Sequence, residues 1–359
     1  MDFLISLIGF LIVLTPVVFF HELGHFWAAR RSGVTVEVFS VGFGPEILGL
    51  TDRHGTRWKF SALPLGGYVK MAGDEDAAST PSADAAATPG SFQSASVGAR
   101  AFIVGMGPLA NFILGVLLMA MVYVGYGKIV TPSVVSDVMA DSAAAAAGIE
   151  PGDRIVSMNG HEVNDFSRLR SITFENPGVT MPITVDRGGR VIDLSITPDV
   201  IDDACLGARY GRLGVISEGR ALKPLGPGEA LYHASIDSFT MAIDMLRGIG
   251  RLASGNANKG EIGGPVKIAE LSGQVVSQGI VSMVVFIAVI SINLGLVNLL
   301  PIPALDGGHL MFFGLEKIMG RPLDHKTQEI IMRVGLSLLM TLIIFLTLFD
   351  VASIFTRDC

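Results

Sequence analysis

Four stretches of this chain are long, apolar and almost free of charge, and they constrain its fold more than any other feature. The first runs from Phe3 to about Phe20. The second lies between Arg100 and Lys128, an interval with no formally charged residue. The third ends an uncharged interval between Glu270 and Asp306, with its core at about Ile280 to Leu300. The fourth lies between Arg333 and Asp350 and is short, so Arg333 is expected to snorkel to the interface. A bilayer core takes roughly 20 apolar residues as a helix, because lipid offers no partner to unpaired backbone groups. Only 16% of the 359 residues are charged and 50% are hydrophobic, against about 25% charged in soluble domains. The expectation is a polytopic α-helical membrane protein with about four transmembrane helices.

The first stretch fits a cleaved signal peptide poorly. Asp2 stands where a basic segment belongs, and no A-x-A-like site follows. Orientation follows from Lys and Arg in short loops. Arg30, Arg31, Arg53, Arg57, Lys59, Lys70 and Arg100 follow the first stretch, and Lys317, Arg321 and Lys326 lie between the third and fourth. Residues 30–100 and 301–330 are therefore expected inside, with both termini and the segment 128–275 outside. The net charge of −7 argues against nucleic acid as a partner, since phosphate binding needs a concentrated basic face. Cys205 and Cys359 stand far apart and neither belongs to a CxxC pair, which argues against a cysteine zinc site or a disulfide framework.

Between the spans the character changes. Residues 74–98 are rich in Ala, Ser, Pro and Thr and lack periodicity, the composition of a flexible linker. In Arg57 to Met71, Trp58, Phe60, Tyr68 and Val69 suggest short strands, with a turn at Pro64 and Gly66-Gly67. A hairpin pressed against the membrane and an ordinary interfacial loop both fit. Residues 131–200 alternate like a small β-rich domain. Ala147 to Gly160 carries a Pro-Gly turn, then a strand ending at Asn159-Gly160, a type I′ hairpin signal. This run resembles the signature of PDZ domains. Tyr210 to Ile216, with Leu213, Gly214 and Val215 at its centre, resembles the loop and strand with which such domains hold an extended peptide by β-augmentation. An occluded groove that only spaces or gates is the other reading. Residues 225–252 place Ala230, Ala234, Phe239, Ile243 and Leu246 at helical spacing, for a face that lies on the membrane or packs on the bundle.

The chemistry concentrates at His21-Glu22-Leu23-Gly24-His25. On a helix, residues i and i+4 share a face, so both imidazoles can reach one zinc ion at about 2.0–2.1 Å. Glu22 is then placed to act as general base on water at the metal. Ionisable groups at the end of a membrane span are costly and usually functional; the blander reading is a polar helix end. Catalytic zinc takes three protein ligands and leaves one position open. Asp306, first charge after the third span and on the same expected side, is the candidate for the third. Pro301 and Pro303 break the helix there, and Gly307-Gly308 permit close backbone approach. A capping turn is the alternative. His309 is a rival ligand, but a fourth protein ligand would close the site.

HELGH in the first span and Asn298-Leu299-Leu300-Pro301-Ile302-Pro303-Ala304-Leu305-Asp306-Gly307-Gly308-His309 after the third resemble the two signature motifs of the site-2 protease family of intramembrane metalloproteases. Gly107 to Asn111, Gly-Pro-Leu-Ala-Asn, resembles a further family feature. With one PDZ-like region, the chain resembles the bacterial branch named regulator of sigma-E protease. That resemblance implies His21, His25 and Asp306 as zinc ligands and Glu22 as catalytic acid/base. It also implies Asn298 as a residue that binds substrate or stabilises the oxyanion. Gly66, Gly67, Tyr68, Val69, Lys70 and Met71 match part of a membrane-associated β-hairpin that receives unwound substrate. Implied partners are the lipid bilayer and single-pass transmembrane substrates, such as anti-sigma factors trimmed by a prior protease, at a bacterial inner membrane. The better-known members of the branch carry two tandem PDZ domains where this chain has one, which puts a paired size filter in doubt.

The expected layout is an N-terminal membrane domain (1–126), an inserted extracytoplasmic β-rich PDZ-like domain (127–222), an amphipathic segment (223–275) and a C-terminal membrane domain (276–359). Two rival functions remain: a non-catalytic PDZ-bearing scaffold or chaperone that keeps structural zinc, and a metal transporter. The spans lack the polar residues a transport path needs.

Overall fold

The computed structural model describes every residue except 1, 75–88, 164, 204–207, 218, 220, 255–262, 322–323 and 356–359. Most of the linker expected at 74–98, and both cysteines, lie outside the described residues. The chain divides into two compact units. Of the described residues, one holds those from 2 to 122, 228 to 247 and 263 to 355; the other holds those from 123 to 227 and 248 to 254.

The first unit starts with α1 (Asp2–Arg31), the strands β1 (Val36–Thr51) and β2 (Arg57–Met71), and α2 (Val97–Gly125). Among the described residues, four helices are long and apolar enough to cross a membrane: Leu4–Arg31, Val97–Gly125, Ile280–Leu299 and Lys326–Ala352. The first of these runs past Phe20, so the whole HELGH run is helical. It stops where Gly33 takes φ +76, with Val34 N–H donating to the Ala29 carbonyl and Gly33 N–H to that of Arg30. Those two bonds form a Schellman cap, which needs a residue tolerant of the left-handed region.

Residues 57–71 are continuous in strand structure but reverse direction around Pro64 and Gly66-Gly67, as expected: Arg57–Phe60 run parallel to Val38–Val41, and Gly67–Lys70 run antiparallel to them. A further turn, at 52–56, joins the two strands. Asp52 organises that turn: its carboxylate accepts from the His54 and Thr56 amides, from the Trp58 indole at 3.1 Å, and from the Arg30 guanidinium of α1. Burial alone would raise the Asp52 carboxyl, but these donors together hold it below the ordinary carboxylate range. Both strands bend. Val38 to Val41 lie between two segments of β2, facing Lys70 to Gly67 on one side and Arg57 to Phe60 on the other. Phe39 and Val69 are buried against Phe26 of α1 and Ile103 of α2. The hairpin tip leaves Phe43, Ile47, Leu48, Leu50, Phe60 and Leu63 exposed.

The second unit is β-rich. After β3 (Lys128–Val130), β4 (Val135–Val138) and the short α3 (Ala143–Ala146) come β5 (Arg154–Met158), β6 (His161–Glu162) and α4 (Phe166–Glu175). Next are β7 (Met181–Arg187), β8 (Arg190–Ile196), β9 (Asp199–Asp203), β10 (Ala208–Arg212), β11 (Val215–Ser217) and β12 (Ala221–Lys223). The largest sheet runs β6-β5-β7-β8, and β9–β10, β4–β11 and β3–β12 pair separately. Asn159 and Gly160 both take positive φ, 51° and 75°, and join β5 to β6 as a type I′ turn requires. Ile155, Met158, Leu169, Ile183, Val185, Ile196 and Leu213 fill the core, each contributing about 1.5–3 kcal/mol of burial. Arg187 ties the sheet to the turn before it through Asp153, Glu150 and the Gly148 carbonyl.

Among the described residues, five helices follow: α5 (Pro227–Ala253), α6 (Pro265–Ser277), α7 (Ile280–Leu299), α8 (Asp306–Met319) and α9 (His325–Phe355). The apolar residues of α5 divide between two faces rather than sharing one. Ala230, Ala234 and Ala242 are buried, whereas Phe239 and Leu246 are exposed. The last span is not short: α9 begins well before Arg333, which pairs with Glu329 on its exposed surface. Asp350 instead is buried and accepts from the Gly264 and Lys267 amides at the start of α6. The membrane helices pack through small residues, which let backbones approach closely. Gly9 and Gly273 sit between α1 and α6, and Gly115 and Gly295 between α2 and α7.

Candidate metal centre

His21 and His25 stand one turn apart on α1, so their rings project from one face, with centroids 4.8 Å apart. Their Nε2 atoms approach to 3.1 Å. Asp306 opens α8 and brings Oδ2 to 3.1 Å from His21 Nε2 and 3.7 Å from His25 Nε2. One ligand atom from each of these residues lies within 4.8 Å of the others.

The loop between α7 and α8 delivers Asp306. Leu305 N–H donates to the Ile302 carbonyl at 3.1 Å, and Ala304 between them has φ +76. Pro303 followed by a left-handed residue is a type II turn, which normally calls for glycine. Gly307 and Gly308 then pack directly on the carbonyls of Leu300 and Ile302. His309 is half-buried one turn further on and stands outside the cluster of three.

Helix α2 supplies the other wall. His25 Nδ1 lies 2.9 Å from the Ile103 carbonyl, and His21 Nδ1 lies 3.2 Å from the Asn111 carboxamide. Between them on the same helix face is Gly107. A Cβ there would overlap His25 Nε2 and come within 2.9 Å of His21 Nε2. The space among the ligand nitrogens is thus kept open by a missing side chain. Asp306 Oδ2 is buried with no hydrogen-bond donor, although it faces both histidines. An orphaned carboxylate oxygen beside two ring nitrogens pinned through their far sides fits a bound cation, and the N,N,O donor set suits zinc.

Two further residues meet the cluster. Asn298, near the end of α7, places Nδ2 3.5 Å from His21 Nε2. Gly67 of β2 packs against Glu22: a Cβ at Gly67 would lie 3.2 Å from Glu22 Cγ. Gly66 beside it takes φ +124 and packs on Phe43, whose ring stacks on Tyr68. The structure therefore gathers His21, Glu22, His25, Asn298, Asp306 and the Gly66–Val69 segment within one unit. Leu213, Gly214 and Val215 lie in the other. There, Leu213 is buried, its carbonyl and that of Gly214 accept from Ala144 and Met139, and Val215 pairs with Val138.

Sequence reasoning gave Gly107 and Asn111 no role beyond a motif resemblance, and it passed over Ile103. Their spacing of four is the signal that marks one helix face, but only when the opposing residues are known.

A model for peptidase family M50 matches residues 9–342. A protein with a zinc metalloprotease name from Rhizobium meliloti is 39% identical over 96% of this chain and 96% of its own length. Another from Agrobacterium fabrum is 37% identical over 97% and 96%. The metalloprotease MmpA of Caulobacter vibrioides is 36% identical over 96% and 94%. Among solved structures, the PDZ domain of an SdrC-like protein from Listeria innocua is similar over 25% of this chain and 98% of that one, at 18% identity and TM-score 0.22.

Proposed function

The chain belongs to peptidase family M50, and from that premise we propose which of its residues perform the family's reaction, and on what. It is an intramembrane zinc metalloprotease; the family match favours catalysis over a scaffold that merely keeps its metal. The observation that carries the assignment is the convergence of His21, His25 and Asp306 beside Glu22, on a wall that admits no side chain at Gly107.

In this reading His21, His25 and Asp306 hold the zinc. When bound, zinc supplies a Lewis acid that acidifies water and polarises a carbonyl. Glu22, between the two histidines in sequence, takes a proton from the attacking water and returns it to the departing amine. Asn298, through Nδ2, donates to the oxygen that gains charge. A helical substrate hides its amides in internal hydrogen bonds, and each bond lost in lipid costs several kcal/mol. The Gly66, Gly67, Tyr68 and Val69 segment of β2 offers replacement backbone partners next to Glu22, in the manner of strand addition.

The substrates are single-pass membrane proteins of the anti-sigma-factor kind, in a bacterial inner membrane. The active site faces the cytoplasmic side, and both termini and the β-rich unit face outward, as the Lys and Arg distribution favours. Residues 127–222 act as a single PDZ-like domain between the membrane domains 1–126 and 276–359, with 223–275 as the amphipathic connection. A peptide would add as a strand at Leu213 to Val215.

Zinc content and cleavage of a single-pass helical substrate, measured together in detergent, test the assignment. About one zinc per chain is expected in wild type and in Glu22→Gln, with cleavage by wild type only. Undiminished turnover by Glu22→Gln would remove Glu22 from the chemistry.

A further inference from the structure

We infer that Asn111 is a positioning residue for the metal centre: its side-chain oxygen receives the Nδ1 proton of His21 and so frees Nε2 to bind zinc. This rests on the assignment of His21 as a ligand. The Asn111 carboxamide lies 3.2 Å from His21 Nδ1, and its Oδ1 is buried with no hydrogen-bond partner.

A neutral imidazole carries one proton. The Asp306 carboxylate stands at the Nε2 side of both histidines, so a metal held there takes the Nε2 lone pairs and leaves each proton on Nδ1. Each Nδ1–H then needs an acceptor, since metal-bound histidines almost always donate their other N–H. For His25 the acceptor is the Ile103 carbonyl at 2.9 Å. For His21 the group in reach is the Asn111 carboxamide. A half-turn about its Cβ–Cγ bond exchanges Nδ2 for Oδ1 at that spot, and Oδ1 gives up no partner in leaving its present position.

The backbone holds the carboxamide in place. Ser291 of α7 donates to the Asn111 main-chain carbonyl at 2.9 Å, and Gly295 lets α7 approach Asn111 Cβ. Ile103, Gly107 and Asn111 follow at intervals of four along α2. One helix face therefore supplies the acceptor for His25, the space for the ion and the acceptor for His21.

The test uses the detergent-solubilised full chain with zinc as the probe. Zinc affinity is read by chelator competition, and the site by the visible spectrum of the cobalt-substituted protein. Asn111→Leu, which fills the same volume without an acceptor, is expected to weaken zinc about 10–100-fold. Asn111→Asp can only accept, and is expected to hold zinc near wild-type affinity with an unchanged cobalt spectrum. Ser291→Ala removes a bond to the Asn111 main chain but keeps the side-chain acceptor, and is expected to weaken zinc far less than Asn111→Leu. Wild-type affinity in Asn111→Leu overturns the inference, and so does an Asn111→Asp protein that folds but binds as weakly as Asn111→Leu. If the variants do not fold, the ¹⁵N shifts of His21 in zinc-loaded wild type decide instead. A protonated Nδ1 supports the acceptor role and a protonated Nε2 overturns it. A wild type that binds no zinc overturns the metal assignment itself, whereas a zinc-binding wild type with an indifferent Asn111 removes only this inference.

Discussion

Replacing Gly107 with alanine adds one methyl group, and the structure says where it goes. The new Cβ would overlap His25 Nε2 and stand 2.9 Å from His21 Nε2. Neither ring can swing aside freely, because Nδ1 of His25 is engaged by Ile103 and that of His21 by Asn111. Overpacking a tight site costs typically about 1–3 kcal/mol. If that falls on the metal-bound form, zinc affinity drops by roughly 5- to 150-fold, at 1.4 kcal/mol per tenfold. The loss can be larger, since zinc–nitrogen distances tolerate only about 0.2 Å. Gly105→Ala is the control: it lies two residues away on the same helix, with nothing within 4 Å of the added Cβ. That change should leave zinc untouched and favour the helix by up to about 1 kcal/mol. Chelator competition on the two purified variants, with circular dichroism to establish folding, measures the difference. A folded Gly107→Ala protein with wild-type zinc affinity would refute the claim that this glycine keeps the ion's space open.

Other perturbations test other parts of the fold. Arg100 and Glu316 form a largely buried ion pair between α2 and α8, with Arg100 also stacked over Phe313. Removing either partner should destabilise by about 3–5 kcal/mol; exchanging the two charges should recover part of that, as read by thermal unfolding in detergent. Ala304→Gly relieves a left-handed alanine and should leave the melting temperature at or above wild type, whereas Ala304→Val should lower it by the equivalent of about 1–2 kcal/mol or more. Hydrogen bonding to Arg187 holds the buried Asp153 carboxyl below the ordinary range. A depressed folded pKa gives stability that is present above the unfolded carboxylate pKa of about 4 and fades as pH falls through the folded value. Protection factors of the β5 and β7 amides, referred to the intrinsic exchange rate at each pH, should fall on acidification, and Arg187→Gln should flatten that dependence; an unchanged profile in the variant would contradict it.

Local patterns carried much of this protein. Helix spans follow from apolar runs, because lipid leaves the backbone no alternative partner. The Asn159-Gly160 turn follows from residues that accept positive φ. Pro64 and Gly66-Gly67 read locally as a turn, and the chain reverses there, its two segments flanking Val38 to Val41. Where expectation missed, a distant contact had decided. The last span looked short because Arg333 and Asp350 seemed to bound it. In the fold one finds its partner on its own helix and the other caps α6, so both charges are accommodated within a longer helix. The alanines and the large apolar residues of α5 stand on different faces of one helix, and which face is covered depends on neighbours that spacing does not encode.

By itself the sequence determined that this chain lives in a membrane and carries two histidines on one helical turn, because helix periodicity and bilayer thickness are fixed lengths. Only the tertiary structure brought Asp306 to His21 across most of the chain, set Gly67 against Glu22, and turned Gly107 and Asn111 of α2 toward the imidazoles. Those meetings depend on how helices and strands pack in three dimensions, and the residues that make them possible are small or uncharged. A glycine that leaves room and an asparagine that offers an oxygen give little local signal, and their part in the site appears only when the opposite wall is in place.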